Sequence, residues 1–349
     1  MKLCTKCVLP ETYPGISFDQ EGVCNFCNEY VRVRKNTCTH FDNEQELKQA
    51  LEKYRNIHEK YDVLVPLSGG VDSCHTLIKL VKEYGLRPLG FHNDHGYEDK
   101  TATENVRELC HVMNIDLLVI QQDVVFMKKL WKYVMESDAY GLTSCMPCSN
   151  ILYMNAIELA ARYDIKLVIN GYSKGQAQMI NDKSVGVGML QEMQKIIRKA
   201  GDKEFYEQFM LKFSSLNKLS TYHTKDDLLK PVNRSKILVV PFFVFKFNKT
   251  DKEALRKEIR TVFEWKSIPY SYPKRTTNCR MNWLGTKVDN IKMNFSVYDV
   301  EYAEIVRAGD FSREQALDDL EHTPPEGIIE KLAEEIDLDF DKVKPLYTR

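Results

Sequence analysis

The stretch with the clearest chemistry runs from residue 62 to residue 73, where an apolar segment ends in a glycine turn and a helical pattern follows. Glycines let the backbone approach a ligand closely, and the free N–H groups at a helix start favour a bound anion. A tight strand-to-helix turn would also need two glycines. We predict a phosphate-binding loop made of Ser68, Gly69, Gly70, Val71, Asp72 and Ser73, in which Asp72 could bind Mg²⁺ or cap the helix and is also a catalytic candidate.

The first thirty residues carry two Cys-x-x-Cys pairs, Cys4 with Cys7 and Cys24 with Cys27. Their spacing is typical of a structural zinc site with four thiolate ligands. A segment this short holds no core of its own, so the metal would provide much of its folding energy. The alternatives are four buried free cysteines or a redox dithiol, but a dithiol would explain one pair and not both.

A second group of cysteines lies further along the chain. Cys145 and Cys148 precede a strong helical pattern, and a helix N-terminus is expected to lower the pKa of a thiol. Together with the distant Cys279 they could supply three ligands to a [4Fe–4S] cluster with one open iron, and all three are catalytic candidates. A persulfide-carrying pair, a second zinc site and ordinary buried cysteines are the alternatives.

Composition limits the classes of function. The 349 residues include 49 basic and 50 acidic side chains, so no global charge favours nucleic acid. No apolar run is long enough for a membrane span, and the N-terminus has no apolar signal core. We therefore expect a cytoplasmic protein, in which cysteines serve metal binding or catalysis rather than disulfides.

Alternating patterns from residue 61 to about residue 170 predict an α/β fold with a parallel sheet. The expected units are a zinc ribbon at 1–30, a connecting helix at 31–60, a phosphate-loop domain at 61–240 and a mostly helical C-terminal substrate or oligomerisation region at 241–349. Strands are predicted at 63–67, 88–92, 116–120 and 165–170, and helices at 73–84, 101–113, 125–136 and 149–163.

Three further predictions concern less regular parts of the chain. Ligands bind beyond the carboxyl ends of parallel strands, so His92, Asp94 and Gly171 are candidate nucleotide-binding residues. Residues 185–230 have a polar helical pattern, and 300–337 should form two helices. The segment 237–242 could be a late strand, although Pro241 makes a central strand less favourable.

The Ser-Gly-Gly-x-Asp-Ser pattern of residues 68–73 resembles the PP-loop of the ATP pyrophosphatase (adenine nucleotide alpha hydrolase-like) superfamily. The resemblance implies that ATP and Mg²⁺ bind there and that AMP is transferred to a substrate oxygen while the loop holds pyrophosphate. The loop is not a Walker A motif, because it lacks that motif's spacing and lysine.

Two families of that superfamily are similar to the chain in different ways. Residues 4–10, 18–24 and 305–316 resemble the N-acetyl sugar amidotransferases of surface-polysaccharide synthesis, which use ammonia from a separate glutaminase. The trio of Cys145, Cys148 and Cys279 is similar to that of tRNA 2-thiolation enzymes, whose cluster handles sulfur.

These resemblances imply an enzyme that adenylates a carbonyl oxygen and replaces it. Sulfur transfer through the cysteine trio is the first hypothesis, sugar amidotransfer the second, and a nucleotide-binding regulatory protein the third. The near-neutral charge favours a sugar nucleotide or another small-molecule acceptor over tRNA. A sulfur carrier or a glutaminase subunit is the expected partner, and a homodimer is a candidate assembly.

Overall fold

The centre of the protein is a parallel sheet. The computed structural model describes all residues except 37–40, 42, 139–144, 180–186, 214–219, 223–224, 246–250, 269, 277–278, 322 and 348–349. Within that part, six strands pair in the order β3-β2-β1-β4-β6-β5, and every pairing is parallel. The strands are β1 Val63–Pro66, β2 Pro88–Asp94, β3 Leu117–Gln121, β4 Leu167–Asn170, β5 Ser220–Tyr222 and β6 Ile237–Pro241.

Helices connect and cover the strands. The first eight are α1 Asn25–Asn36, α2 Glu44–Glu52, α3 Val71–Lys82, α4 Lys100–Val112, α5 Val124–Glu136, α6 Cys145–Arg162, α7 Lys174–Met179 and α8 Val187–Ala200. The others are α9 Lys203–Phe213, α10 Lys225–Leu229, α11 Phe242–Phe245, α12 Lys252–Arg260, α13 Met281–Met293, α14 Val297–Arg307, α15 Arg313–Asp319 and α16 Ile328–Glu335, followed by a 3₁₀ turn at Phe340–Lys342. In the described part of the chain, no helix is both long and apolar enough to cross a membrane.

The sheet is buried on both faces, which is why its central strands are apolar without alternation. All four residues of β1 and of β4 are buried. The carboxyl ends of β1 and β4 lie side by side, because Leu64 pairs with Leu89 on one side and with Val168 on the other. The chain leaves β1 at the point where the strand order reverses, and such a point forms a ligand crevice. The predicted parallel α/β class is confirmed.

Three local predictions are corrected by the structure. The segment 237–242 contains a central strand, since β6 pairs with β4 and β5; Pro241 is tolerated because it is the last residue of the strand. The polar region 185–230 contains strand β5 besides its helices. The strand was not predicted, because three residues give too short a pattern to recognise. The region 300–337 contains three helices rather than two, with α15 starting at the predicted cap Ser312.

The single connecting helix predicted at 31–60 is also corrected by the structure, which has two helices in the described residues of this part of the chain. Helix α1 begins at Asn25, inside the predicted ribbon, and α2 begins at Glu44. Leu47 and Leu51, whose spacing predicted a helix, are buried on α2, and Tyr54 is buried just beyond its end. This region therefore packs against the main core instead of acting as a free linker.

The loop between β1 and α3 is fixed by contacts from distant segments. Gly69 has a φ of +75°, a conformation that side chains other than glycine rarely adopt. Its carbonyl oxygen accepts hydrogen bonds from Trp265 Nε1 at 2.9 Å and from Asn105 Nδ2 at 3.2 Å. Asn105 also bonds both backbone groups of Lys266, so α4 and the segment after α12 hold the loop together.

The Gly69→Ala variant should be strongly destabilised. An alanine Cβ would overlap the carbonyl oxygen of Ala102 in addition to straining the backbone. We expect the free energy of unfolding to fall by about 3 kcal/mol or more, measured by urea denaturation. The matched control is Gly201→Ala, which has a φ of +79° but nothing within 4 Å of its Cβ, and should cost about 1–2 kcal/mol. Equal losses for the two variants would contradict the role of the close contact.

Candidate active site and metal centre

Four cysteines at the N-terminus form a metal-binding group. Cys4, Cys7, Cys24 and Cys27 are buried, and their sulfur atoms all lie within 4.8 Å of one another. The sulfur atoms of Cys4 and Cys27 are 3.9 Å apart, as are those of Cys7 and Cys24. A tetrahedral zinc ion with Zn–S bonds of about 2.3 Å places its ligands about 3.8 Å apart. Backbone N–H groups of Cys7 and Cys24 point at Cys4 Sγ, as they do around bound thiolates. The donor set therefore fits Zn²⁺, and the predicted grouping of these four cysteines is confirmed.

The cysteine module is attached to the C-terminal helices. Arg313 Nε donates to the carbonyl oxygens of Cys4 at 3.1 Å and Cys7 at 2.9 Å. Arg307 Nη1 lies 3.6 Å from Cys7 Sγ and pairs with Glu304. Apolar side chains of α14 and α15 complete the contact: Tyr302, Ala303, Ile305 and Ala316. The ribbon thus covers one face of α14.

Helix α14 also forms one wall of a cavity of about 250 Å³ at the carboxyl edge of the sheet. The floor consists of the predicted loop and the end of β4. Gly171 is required there, because a Cβ would lie 2.6 Å from the backbone nitrogen of Ser73. Residues of the loop and of β4 that line the cavity are Ser68, Gly70, Val71, Asp72, Ser73, Asn170 and Gly171. The structure therefore brings these predicted binding residues together, while Gly69 supports them from behind.

The two loop hydroxyls are linked to each other. Ser73 Oγ lies 3.2 Å from Ser68 Oγ and accepts from the Ser68 backbone N–H, also at 3.2 Å. Ser73 Oγ donates to the carbonyl oxygen of Gly70 at 3.2 Å. These bonds fold the loop over the start of α3, whose first N–H groups have no partner within the helix. The arrangement can bind a phosphate through backbone N–H groups.

Asp72 occupies the position expected of a magnesium ligand. Its Oδ2 forms an ion pair with Lys252, whereas its Oδ1 is buried and has no hydrogen-bond partner among the described atoms. A buried carboxylate oxygen without a partner is costly, and a hard cation with bound phosphate would satisfy it. The residue therefore fits Mg²⁺.

Three cationic residues around the cavity were missed by the sequence analysis. Lys252 and Arg256 lie one turn apart on α12, and Arg275 follows in a later loop. Glu258 on α12 bonds His75 at 2.9 Å and Lys79 at 2.5 Å, which docks α12 onto α3 beside the loop. Nothing in the local pattern separates these cations from other charged residues, because only the docking of α12 brings them to the phosphate loop.

His92 and Asp94 do not line the cavity. His92 is buried, and its Nδ1 lies 2.8 Å from the carbonyl oxygen of Leu67, while burial lowers the pKa of its imidazole. Asp94 Oδ1 accepts from the backbone N–H of Gly96 at 2.8 Å. Both residues therefore support the strand end instead of facing the phosphate loop. Beside them lies Glu98, 3.3 Å from His92 Nε2, and burial raises the pKa of Glu98 to about 8.

The three later cysteines come together behind the cavity. The Cys145 thiol donates to Asn282 Oδ1 at 3.3 Å, and the Cys279 thiol reaches the same oxygen at 3.8 Å. Cys148 is near enough to both for their charges to raise the pKa of its thiol, after the larger effect of burial. Asn282 is oriented because its Nδ2 donates to the carbonyl oxygen of Tyr272 at 3.3 Å.

The expected lowering of the thiol pKa is wrong for Cys148. Cys145 is the first residue of α6, so the pair does lie at a helix N-terminus. Burial nevertheless raises the pKa of Cys148 and of Cys279 well above the usual range of a thiol. Desolvation outweighs the helix dipole here, because the dipole effect is small and the cost of a buried charge is large.

Tyr298 connects the cysteine trio to the cavity. Its ring lines the cavity, and its hydroxyl oxygen lies 3.8 Å from Cys145 Sγ. Leu152 on α6 and Thr276, three residues before Cys279, line the same cavity. Tyr298 therefore contacts both the cavity and Cys145.

Comparisons with known proteins give only remote likenesses, and no family model matches the chain. An uncharacterized protein of Methanocaldococcus jannaschii, MJ1599, is 23% identical over 171 residues, which cover 48% of this chain and 58% of that protein. The chain thus matches less than two thirds of that relative's length.

Among solved structures, the U34-tRNA thiolase NcsA from Methanococcus maripaludis with its [4Fe-4S] cluster is 13% identical, with a TM-score of 0.36 over 97% of this chain and 88% of that chain. The NH3-dependent NAD synthetase from Campylobacter jejuni is 18% identical, with a TM-score of 0.30 over 53% of this chain and 78% of that chain. Neither likeness carries an argument about activity.

Metal content tests the N-terminal site. We expect about one zinc ion per chain by inductively coupled plasma mass spectrometry, and a lower melting temperature on chelation, because the metal holds the ribbon together. Cys24→Ala should remove most of the zinc. The matched control Cys110→Ala changes a buried cysteine outside the group and should keep it. Zinc retained in Cys24→Ala would contradict the assignment.

Calorimetric titration with ATP and Mg²⁺ tests the missed cations. Lys252→Met should weaken ATP affinity about tenfold, because it removes a positive charge beside the phosphate loop. Lys257→Met, an exposed lysine on the same helix, is the matched control and should bind like the wild type. Equal ATP affinities for the two variants would contradict a contribution of Lys252 to ATP binding.

Proposed function

We propose that the protein is a PP-loop ATP pyrophosphatase that adenylates an acceptor oxygen and replaces it with sulfur. The observation that carries the proposal is that one cavity reaches both the phosphate loop and Tyr298, which contacts Cys145. Such a reaction has two halves, adenylation of the oxygen and its replacement. ATP and the incoming group must therefore both reach the same bound substrate. The geometry supports both halves at a single site.

The first half depends on the loop and the cations. The N–H groups at the start of α3, with Ser68 and Ser73, bind the β- and γ-phosphates, and Asp72 holds Mg²⁺. Lys252 and the arginines of the cavity wall stabilise charge on the leaving pyrophosphate. The acceptor oxygen attacks the α-phosphorus, the bond to the β-phosphate oxygen breaks, and pyrophosphate stays on the loop.

The second half depends on the cysteine trio. Cys145, Cys148 and Cys279 present thiols from α6 and from the segment before α13, and Asn282 orients two of them. The three thiols are partly buried, and those of Cys148 and Cys279 pack against an apolar cluster, a setting that suits the cysteine ligation of an iron–sulfur cluster. When bound, a [4Fe–4S] cluster supplies an iron with an open position for a sulfur donor. Without it, a thiol pair that carries persulfide remains the alternative.

Sugar amidotransfer is the second candidate, and one contact favours it. The three segments that resemble the amidotransferases are far apart in the chain, yet Arg313 bonds the backbone of Cys4 and Cys7. They therefore form one continuous structural unit that borders the cavity through α14. In this reading ammonia from a partner glutaminase replaces the activated oxygen, and a sugar nucleotide is the acceptor.

An anaerobic preparation tests the proposal. We expect iron and acid-labile sulfide in the protein, and pyrophosphate release from ATP when candidate acceptors, sugar nucleotides and tRNA are added. Mass spectrometry then separates a sulfur-for-oxygen product, made with sulfide, from an NH-for-oxygen product, made with ammonium. Cys145→Ala should keep pyrophosphate release and lose the sulfur product, whereas Cys110→Ala, in the buried core, should keep both.

Each outcome separates the candidates. Iron-free protein that still makes a sulfur product after Cys145→Ala would contradict the role of the trio. An NH-for-oxygen product with ammonium alone would favour amidotransfer. ATP binding without pyrophosphate release with any acceptor would favour a regulatory nucleotide-binding protein.

A further inference from the structure

Glu301 lies in the cavity wall between the two halves of the site. It is on α14, one turn after Tyr298, and lines the cavity that also contains Asp72 and Lys252. The residue is only 9% exposed. Helix α14 packs closely on α7 at this point, because a Cβ at Gly175 would lie 2.5 Å from the carbonyl oxygen of Glu301. The carboxyl group is therefore held where an acceptor has to bind.

A single short hydrogen bond orients this carboxyl group. Ser173 Oγ donates to Glu301 Oε1 at 2.8 Å. Ser173 is itself fixed at the start of α7, since its Oγ accepts from the Gln176 backbone N–H at 3.1 Å and its own N–H donates to Gln176 Oε1 at 3.0 Å. One carboxylate oxygen is thus tied to a rigid turn.

Glu301 differs from the other carboxylates of the cavity. Asp72 pairs with Lys252, and Asp319 pairs with Arg275 and accepts from the Tyr302 hydroxyl. Within the described residues, Glu301 forms no ion pair with a lysine, an arginine or a histidine. A carboxylate without a cationic partner keeps its affinity for a proton, which is the property required of a general base.

We propose that Glu301 is the general base of the adenylation step. This inference rests on the proposed function. The acceptor oxygen forms a bond to the α-phosphorus, and the bond from phosphorus to the pyrophosphate oxygen breaks with its electron pair. The proton that the acceptor loses passes to the Glu301 carboxylate. The electrons of the broken bond to hydrogen stay on the acceptor, on the attacking oxygen of water or as a C=N bond where the reacting carbonyl belongs to an amide.

The charges around Glu301 place its titration near neutral pH. Burial raises its pKa to about 7, the Ser173 hydrogen bond and Lys252 lower it, and Asp72 raises it. Tyr298 and Tyr302, the titratable neighbours on the same helix, have pKa values far above their usual range because they are buried, so they stay neutral. A base acts when deprotonated, so the rate should rise as the pH passes through about 7.

The test measures AMP and pyrophosphate formed from ATP and Mg²⁺ across this pH range, with water in place of the acceptor. Water must also lose a proton when it attacks, so the same base serves. We expect Glu301→Gln to be about 100-fold slower with no rise through neutral pH, while its ATP affinity stays within about twofold of the wild type. Glu301→Asp should retain part of the rate.

Ser173→Ala is the matched variant that keeps the base. It removes the hydrogen bond that stabilises the carboxylate, so the midpoint of the pH profile should move to higher pH. A purely structural role would not move the midpoint. A wild-type rate and pH dependence in Glu301→Gln, or an unshifted midpoint in Ser173→Ala, would overturn this inference and leave the proposed function standing. A wild-type protein that binds ATP but forms no AMP with water or with any acceptor would overturn the proposed function and this inference with it.

Discussion

The site depends on the close approach of backbones around the start of α3. Gly69 can adopt its left-handed conformation against α4, and Gly171 brings the end of β4 against the backbone of Ser73, because neither residue has a side chain. Trp265 and Asn105 then bond the carbonyl oxygen of Gly69. A loop fixed from three sides keeps its N–H groups in one orientation, which the proposed binding of phosphate without reorganisation requires.

Helix α14 links the two cysteine sites to this loop. Ala303 of this helix packs in the cluster of the four-cysteine ribbon, Tyr298 and Glu301 line the cavity, and Tyr302 and Ile305 take part in both. The ribbon therefore supports the cavity wall as well as its own thirty residues. Tyr298 contacts both the cavity and Cys145, which in the proposed reaction brings the sites of oxygen activation and replacement close together.

Burial decides the electrostatics of the site. It raises the pKa of Cys148 and Cys279 despite the helix N-terminus, and it raises the pKa of Glu301 to about 7 despite a hydrogen bond that lowers it. Asp72 differs from Glu301, because Lys252 forms an ion pair with one of its oxygens. Two carboxylates in one cavity thus have separate roles, one suited to a cation and one to a proton.

The sequence by itself determined the features that depend on short-range spacing. These are the glycine loop after an apolar strand, the two Cys-x-x-Cys pairs and the apolar strands of a parallel sheet, because turn geometry, metal coordination and burial on both faces each need particular residues at adjacent positions. Only the tertiary structure decided which distant groups meet. The docking of α12 brought Lys252 to Asp72, the packing of α14 brought Glu301 and Tyr298 to the loop, and the fold left His92 and Asp94 outside the cavity. Such contacts depend on how the helices pack together, and no local pattern in the chain records that packing.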